Sequence, residues 1–279
     1  MAVVFVLAAA SPALLPPSFA QNPDSMMPEE SAAKAKQILT QLTDALGGPA
    51  YLDVHVSDCE GRLARFGRNG ELEGYTNFKD YWGYPDKNRT DFSKKGVIIN
   101  VYNGDQGWTM DRGGVSELSA IAVGDFQEQA KRDVNNLLRV RLKEPGMTFR
   151  YAGTDVVDLR TVDWVEIIDS EQRNFRLAVD KSSHLLVRAV TTVGDESTHD
   201  RNVETNIFTN FQRMDGVLTP LQITLDRNGR RVSQVFFTSC KYNPNLPSEF
   251  FTKAALEKRF TEVGGKKTKE EKKQEKENN

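Results

Sequence analysis

Cysteine and histidine are scarce in this chain, with two of the first and three of the second among 279 residues. Soft-metal sites are built from clusters of these side chains, so little material remains for one. His55, His184 and His199 stand apart, and none falls in a His-Glu-x-x-His arrangement or its inverse. That removes the spacing by which zinc peptidases hold their metal. A Gly-x-Ser-x-Gly elbow is missing, as is a glycine-rich phosphate loop ending in Lys-Ser or Lys-Thr. These are the local geometries that expose a nucleophilic serine or cradle a nucleotide. His184 follows Ser182 and Ser183 in an expected turn, where these residue types are common for backbone reasons. Asp53, Asp58 and Glu60 fall short of the roughly six to eight oxygens that calcium takes. The expectation is a non-enzymatic protein with no metal and no cofactor.

An excess of charge of one sign is also absent. Lys and Arg number 37 against 39 Asp and Glu, a formal net charge of −2, so the basic footprint of a nucleic-acid binder is not expected. No hydrophobic run is long enough to cross a bilayer. The apolar stretch at residues 2–10, Ala-Val-Val-Phe-Val-Leu-Ala-Ala-Ala, falls short of the about 20 residues a spanning helix needs. It has the length of a secretory leader's apolar region, and Ser18-Phe19-Ala20 puts small residues where a signal peptidase reads, with cleavage between Ala20 and Gln21. No Lys or Arg precedes the run, which leaves two alternatives: a start further upstream, or a segment of another kind. The expected product is a soluble periplasmic protein with no transmembrane segment in the mature chain. An oxidising compartment permits a bridge between Cys59 and Cys240. Either they pair and close a very long loop, or they are two separate buried thiols.

What is present reads as strands with a few helices. After a polar linker at 21–30, Ala35, Ile38, Leu39, Leu42 and Leu46 recur at three/four spacing, predicting a helix from Ser31 as N-cap to Leu46, stopped by Gly47-Gly48. Turn signals then follow at short intervals: Asn69-Gly70, Lys95-Gly96, Asn103-Gly104-Asp105, Gly113-Gly114, Gly194-Asp195, Asp215-Gly216 and Asn228-Gly229. Such pairs accept the positive φ of tight hairpins. Leu52, Val54 and Val56 alternate, as do Leu221, Ile223 and Leu225, while Val162 to Ile168 and Leu185 to Val193 are apolar on both faces. A second helix is predicted from Asp125 to Lys143, carrying Phe126, Ala130, Val134, Leu137, Leu138 and Leu142, and a third near Pro247 to Phe260. The charged tail from Gly264 to Asn279 lacks an apolar anchor and is expected to be disordered. The fold class is mainly β (α+β), one domain over 31–263, its meander curling into a sandwich or an open barrel.

Several segments, in order, carry a resemblance. These are Tyr84-Pro85-Asp86-Lys87-Asn88-Arg89-Thr90-Asp91, then Val101-Tyr102-Asn103-Gly104-Asp105-Gln106-Gly107-Trp108, then Asp180 to Arg188. Two more follow: Asn210-Phe211-Gln212-Arg213-Met214-Asp215-Gly216-Val217-Leu218-Thr219-Pro220, and Phe236 to Phe251 with its Asn245-Leu246-Pro247-Ser248-Glu249-Phe250-Phe251 end. Together, over about residues 31 to 255, this order resembles the LolA-like outer-membrane lipoprotein-sorting family. The resemblance implies an incomplete antiparallel barrel whose concave apolar face is covered by amphipathic helices, and members that hold acyl chains or lipid-modified partners. The 125–143 helix is then an enlarged insertion. Similar sequences also occur appended to metallopeptidases.

Transferred here, the resemblance implies a pocket between the sheet and the helices at 31–46 and 125–143. Expected ligand-binding residues are Val54, Val56, Arg89, Trp108, Leu137 and Leu138. Arg89 is placed at the cavity mouth near a headgroup, or else is an ordinary surface charge; Trp108 is a pocket wall or ordinary core, and Trp82 and Trp164 share that choice. The function expected is a periplasmic binding protein that holds lipid or lipoprotein acyl chains in an apolar cavity, with an envelope protein as a further partner. The alternative is an envelope protein-interaction or sensor module of the same fold with no lipid.

Overall fold

The computed structural model describes residues 25–92, 97–194 and 201–263. The expected leader, residues 21–24 of the linker, the turn at Lys95-Gly96, Asp195, His199 and the charged tail lie outside them.

Helix α1 (Pro28–Leu46) begins one turn earlier than the pattern of apolar residues suggests. Pro28 is the reason: its fixed φ suits the first helical position, where the missing N–H costs nothing. Ser31 is consequently not a cap but a buried residue inside the helix, whose hydroxyl accepts the Tyr151 N–H at 3.0 Å. Gly47 (φ 137°) and Gly48 (φ 57°) end α1 as expected, their N–H groups returning to the Asp44 and Thr43 carbonyls. A short helix α2 (Pro49–Leu52) follows.

The chain then builds β1 (Val56–Phe66), β2 (Leu72–Gly83), β3 (Lys87–Asp91), β4 (Ile99–Asn103), β5 (Gln106–Asp111) and β6 (Gly114–Glu117) as one antiparallel meander. Two helices, α3 (Ala120–Arg132) and α4 (Val134–Arg139), and a 3-10 turn (Arg141–Lys143) cross over to the second meander. It comprises β7 (Thr148–Val157), β8 (Arg160–Ile168), β9 (Asn174–Asp180), β10 (Leu186–Gly194), β11 (Arg201–Met214), β12 (Val217–Arg227) and β13 (Arg230–Tyr242). β13 pairs with β1, so the two meanders fuse into one thirteen-stranded antiparallel sheet with β6 and β7 at its ends. The sheet does not close on itself, which is the expected incomplete barrel.

The turn chemistry follows the sequence. Asp215-Gly216 and Asn228-Gly229 both take positive φ at both residues, as a two-residue hairpin turn requires. At the β1–β13 seam the register slips between Glu60 and Gly61. A Cβ at position 61 would collide with the Phe236 carbonyl, so the seam needs glycine there.

The helix expected over Asp125 to Lys143 is divided. Asp133 ends α3 and caps α4, its carboxylate accepting the Asn136 N–H at 2.7 Å. The Asn136 side chain in turn donates to the Ala130 carbonyl at the end of α3 and to the Pro85 carbonyl, both at 2.8 Å. Apolar periodicity runs through this break because both helices bury the same side. The last helix, α5, occupies 253–263 rather than starting at Pro247. Thr252 caps it by accepting the Ala255 N–H, which frees Phe250 and Phe251 to insert against the sheet.

Apolar side chains occupy both faces of the sheet. On the inner face, Ala35, Ile38, Leu39, Leu42 and Leu46 of α1 pack with Leu137 and Leu138 of α4 onto Val165, Ile167, Phe175, Leu177 and Leu186. On the outer face, Ile99, Val101, Trp108 and Met110 are covered by Phe251 and Leu256, and a smaller cluster joins Val162, Ala178 and Val187 to Trp164.

Candidate ligand-binding cavity

The inner face is not filled. Two adjoining chambers of about 300 Å³ and 470 Å³ lie between it and the helices, sharing Asp80, Trp82, Gln129, Val235 and Phe237 as common wall. Pleat alternation explains the wall: Phe78, Asp80 and Trp82 are two apart on β2 and point to one side. The larger chamber lies beneath α3, where Phe126 stacks on Tyr102 with ring centroids 4.3 Å apart and also meets Trp82 at 5.7 Å. The smaller lies beneath α2 and α4, walled by Leu138, Val134, Leu186, Phe208, Val217 and Ile223, with the Cys59–Cys240 bridge in its floor.

One end of the smaller chamber is polar. Arg139 of α4 is 7% exposed, and its guanidinium lies over the rings of Tyr51, Tyr84 and Tyr242 at 4.3, 4.8 and 5.9 Å. Its Nε donates to the Tyr51 carbonyl at 3.0 Å, whereas Nη1 is buried with no partner. Tyr51 is hydrogen-bonded to Asn135 at 3.1 Å and Tyr242 to Thr219 at 2.6 Å. Burial holds the Tyr51, Tyr84 and Tyr242 phenols above their ordinary range, which keeps all three neutral. Burial likewise raises the carboxyls of Asp80 and Asp133. For Asp80, hydrogen bonds from Asn88 at 2.9 Å and Thr90 at 2.7 Å work against that rise. The Trp82 indole N–H is a second buried donor without a partner.

The covering helices are fastened by charge at their far side. Asp169, after β8, accepts the backbone N–H groups of Glu171 and Arg173 and pairs with Arg141 at 2.9 Å and Arg173 at 3.1 Å. Arg173 reaches Glu128 of α3 at 2.9 Å, and Lys131 of α3 reaches Glu171 at 3.0 Å. Burial pushes the Asp169 carboxyl up, but the two guanidinium partners outweigh it and the group sits below the usual range. Hydrogen bonds from Arg173 and Lys131 bring Glu171 down to about 2.

Of the six residues expected to touch ligand, Leu138 lines the smaller chamber. Leu137 and Val54 are core beneath it. Val56 alternates with Ser57, a wall residue, and so projects to the other face. Arg89 and Trp108 lie opposite Val101 on either side and share its outer face, away from both chambers. Arg89 pairs with Asp91 at 3.0 Å and lies 4.5 Å from the centre of the Phe250 ring. The strand that carries Arg89, Lys87–Asp91, is polar on both faces, so the sequence pattern alone does not say which face encloses the cavity. Trp82 lines both chambers, whereas Trp164 is on the outer face. The polar end, built from Tyr51, Tyr84, Arg139 and Tyr242, was not signalled because its members come from four separate segments. The alternation of Phe78, Asp80 and Trp82 was the available clue to the wall.

His55 and His184 line neither chamber. Among the described residues no group of three or more His, Cys, Asp or Glu is placed to hold a metal ion, and no helix is long and apolar enough to cross a membrane.

No family model and no curated protein matches the sequence. Solved structures do match the fold. A DUF1329 family protein from Desulfovibrio piger superposes with a TM-score of 0.57 at 14% identity, over 81% of this chain and 99% of that one. A LolA superfamily protein from Nitrosomonas europaea gives 0.52 at 16% identity, over 80% of this chain and 99% of the other. An outer membrane lipoprotein-sorting protein domain from Vibrio parahaemolyticus gives 0.52 at 12% identity, over 83% and 100%. The chain therefore has a LolA-like fold.

Proposed function

We propose that this LolA-like chain is a periplasmic, non-catalytic binding protein that shelters an acyl chain, of a free lipid or of a lipoprotein, during traffic through a cell envelope. The observation that carries the reading is the pair of adjoining chambers, more apolar than polar, between the sheet's inner face and α3–α4. Their volumes fall within or near the roughly 300–1,000 Å³ of small-ligand pockets. Each methylene moved from water onto walls such as Phe208, Phe237 and Val235 contributes about 0.8 kcal/mol.

Access is through the helices. The sheet is continuous from β6 to β7, but α3 and α4 are separate short helices hinged at Asp133. They are fastened by the ion pairs around Asp169 and Arg173. The outer pairs of this network, Arg173–Glu128 and Lys131–Glu171, are partly exposed and separate at little cost in water. An envelope protein that hands over or receives the lipid is the expected partner. The likeness to a domain named for lipoprotein sorting supports the same reading at the level of the fold.

The test is protein purified without detergent, measured by native mass spectrometry and by lipid analysis of a denaturing organic extract. Acyl-bearing mass at about one chain per protein is expected. An empty protein that also fails to take up added fatty acid overturns the reading.

A further inference from the structure

We propose that the polar end of the smaller chamber is a head-group site for an anion, so that the ligand is an acyl chain ending in a carboxylate or phosphate, held by Arg139. This rests on the acyl-binding reading and adds the class of ligand.

Buried charges are normally paired, because removing an ion from water without a counter-charge is costly. Arg139 breaks that pattern. It is 7% exposed and forms no ion pair among the described residues. One of its N–H groups, on Nη1, finds no acceptor in the protein. The surrounding groups do not supply the missing charge. Tyr51, Tyr84 and Tyr242 offer ring faces, which attract the cation without neutralising it. Asp133 is an acidic wall residue whose charge is felt at Arg139, but its carboxylate is turned to the start of α4, accepting the Asn136 N–H, and forms no ion pair with the guanidinium. The result is a positive group with a spare donor, facing a space of ligand size whose remaining wall is mostly apolar.

That combination fits an amphiphile with one acidic end. The guanidinium is a planar fork suited to carboxylate and phosphate oxygens. A neutral head would leave Nη1 and the charge unmatched, while a cationic head would be repelled. The unpartnered Trp82 N–H on the shared wall is a second donor at the junction of the two chambers. The chain of the ligand then runs from the Arg139 end past Trp82 into the larger chamber beneath Phe126.

Three probes of one chain length separate the possibilities in the delipidated full chain: oleate, oleoyl lysophosphatidate and methyl oleate. Binding of at least one acid is expected to be about tenfold or more tighter than the ester, since hydrogen bonds to a charged group are lost with the charge. Whichever acid binds tighter identifies the source of the anion. In Arg139→Gln the preference for acid over ester should disappear while ester binding persists, and Arg139→Lys should restore part of it. If the variants do not fold, the comparison of probes on the unaltered protein still decides. Equal binding of acids and ester overturns the head-group site and leaves the acyl cavity standing. Failure of all three probes to bind overturns the cavity reading and the head-group site with it.

Discussion

Cys59 and Cys240 sit directly opposite each other on β1 and β13, their Cα atoms 4.1 Å apart and their sulfurs bonded, across a sequence separation of 181. The bridge staples the two meanders at the single pairing that joins them and forms part of the cavity floor. Closing so long a loop in the unfolded chain is worth about 5 kcal/mol in the chain-entropy model. Reduction, or Cys59→Ala with Cys240→Ala, should therefore lower the urea midpoint markedly. An unchanged midpoint would mean that the seam holds without the bond.

Asp169 is the buried hub of the lid's fastening, with a fully enclosed side chain between Arg141 and Arg173. Asp169→Asn leaves two guanidinium groups facing a neutral amide and should cost about 3–5 kcal/mol. The same network sets a pH dependence. Carboxyls whose folded pKa lies below the unfolded value stabilise the fold above the unfolded value and lose that contribution as pH falls through the folded one. Asp169 and Glu171 are lowered, Glu171 to about 2. Acidification from the ordinary carboxylate range toward that value should loosen the lid, read as faster hydrogen exchange in α3 and α4. Protection that is unchanged on acidification would contradict this.

Asp80 has the opposite sign. Its folded pKa is raised by burial, so its contribution is present below the unfolded value and lost as pH rises through the folded one. Asp80→Asn keeps acceptors for Asn88 and Thr90 and removes the charge. It should raise the thermal midpoint at neutral pH and change it little at acid pH. A lower midpoint at neutral pH would show that the ionised carboxylate is the favoured form.

Val235 belongs to the wall common to both chambers. Val235→Trp should fill empty space rather than crowd packed core, at a stability change of about 1 kcal/mol or less. Acyl-chain uptake, followed by native mass spectrometry, should fall by about tenfold, since part of the apolar contact is lost. Unchanged uptake would place the ligand elsewhere.

Much of this architecture is legible in the residues. The Asp215-Gly216 and Asn228-Gly229 hairpins, the α1 stripe and the doubly apolar strands β8 and β10 follow from local turn and pleat chemistry. What the pattern hides depends on tertiary placement. Asp133 divides a helix whose apolar periodicity continues through it, because a cap replaces one turn without rotating the buried side. Arg89 and Trp108 face the segment at 250–256 rather than the cavity, a choice made by which side of the curled sheet the helices cover. Arg139 meets Tyr51, Tyr84 and Tyr242 only after the two meanders join at β1 and β13.

The central claim, that a hydrocarbon chain occupies the space beneath α3 and α4, is tested most directly at Trp82. This tryptophan lines both chambers, while Trp108 and Trp164 pack on the outer face. With Trp108→Phe and Trp164→Phe in place, titration with a fatty acid brominated along its chain should quench Trp82 fluorescence saturably, at about one ligand per protein. Trp82 emission that stays constant through the titration, while a Trp82→Phe protein is quenched instead, would put the chain outside the sheet and contradict the account.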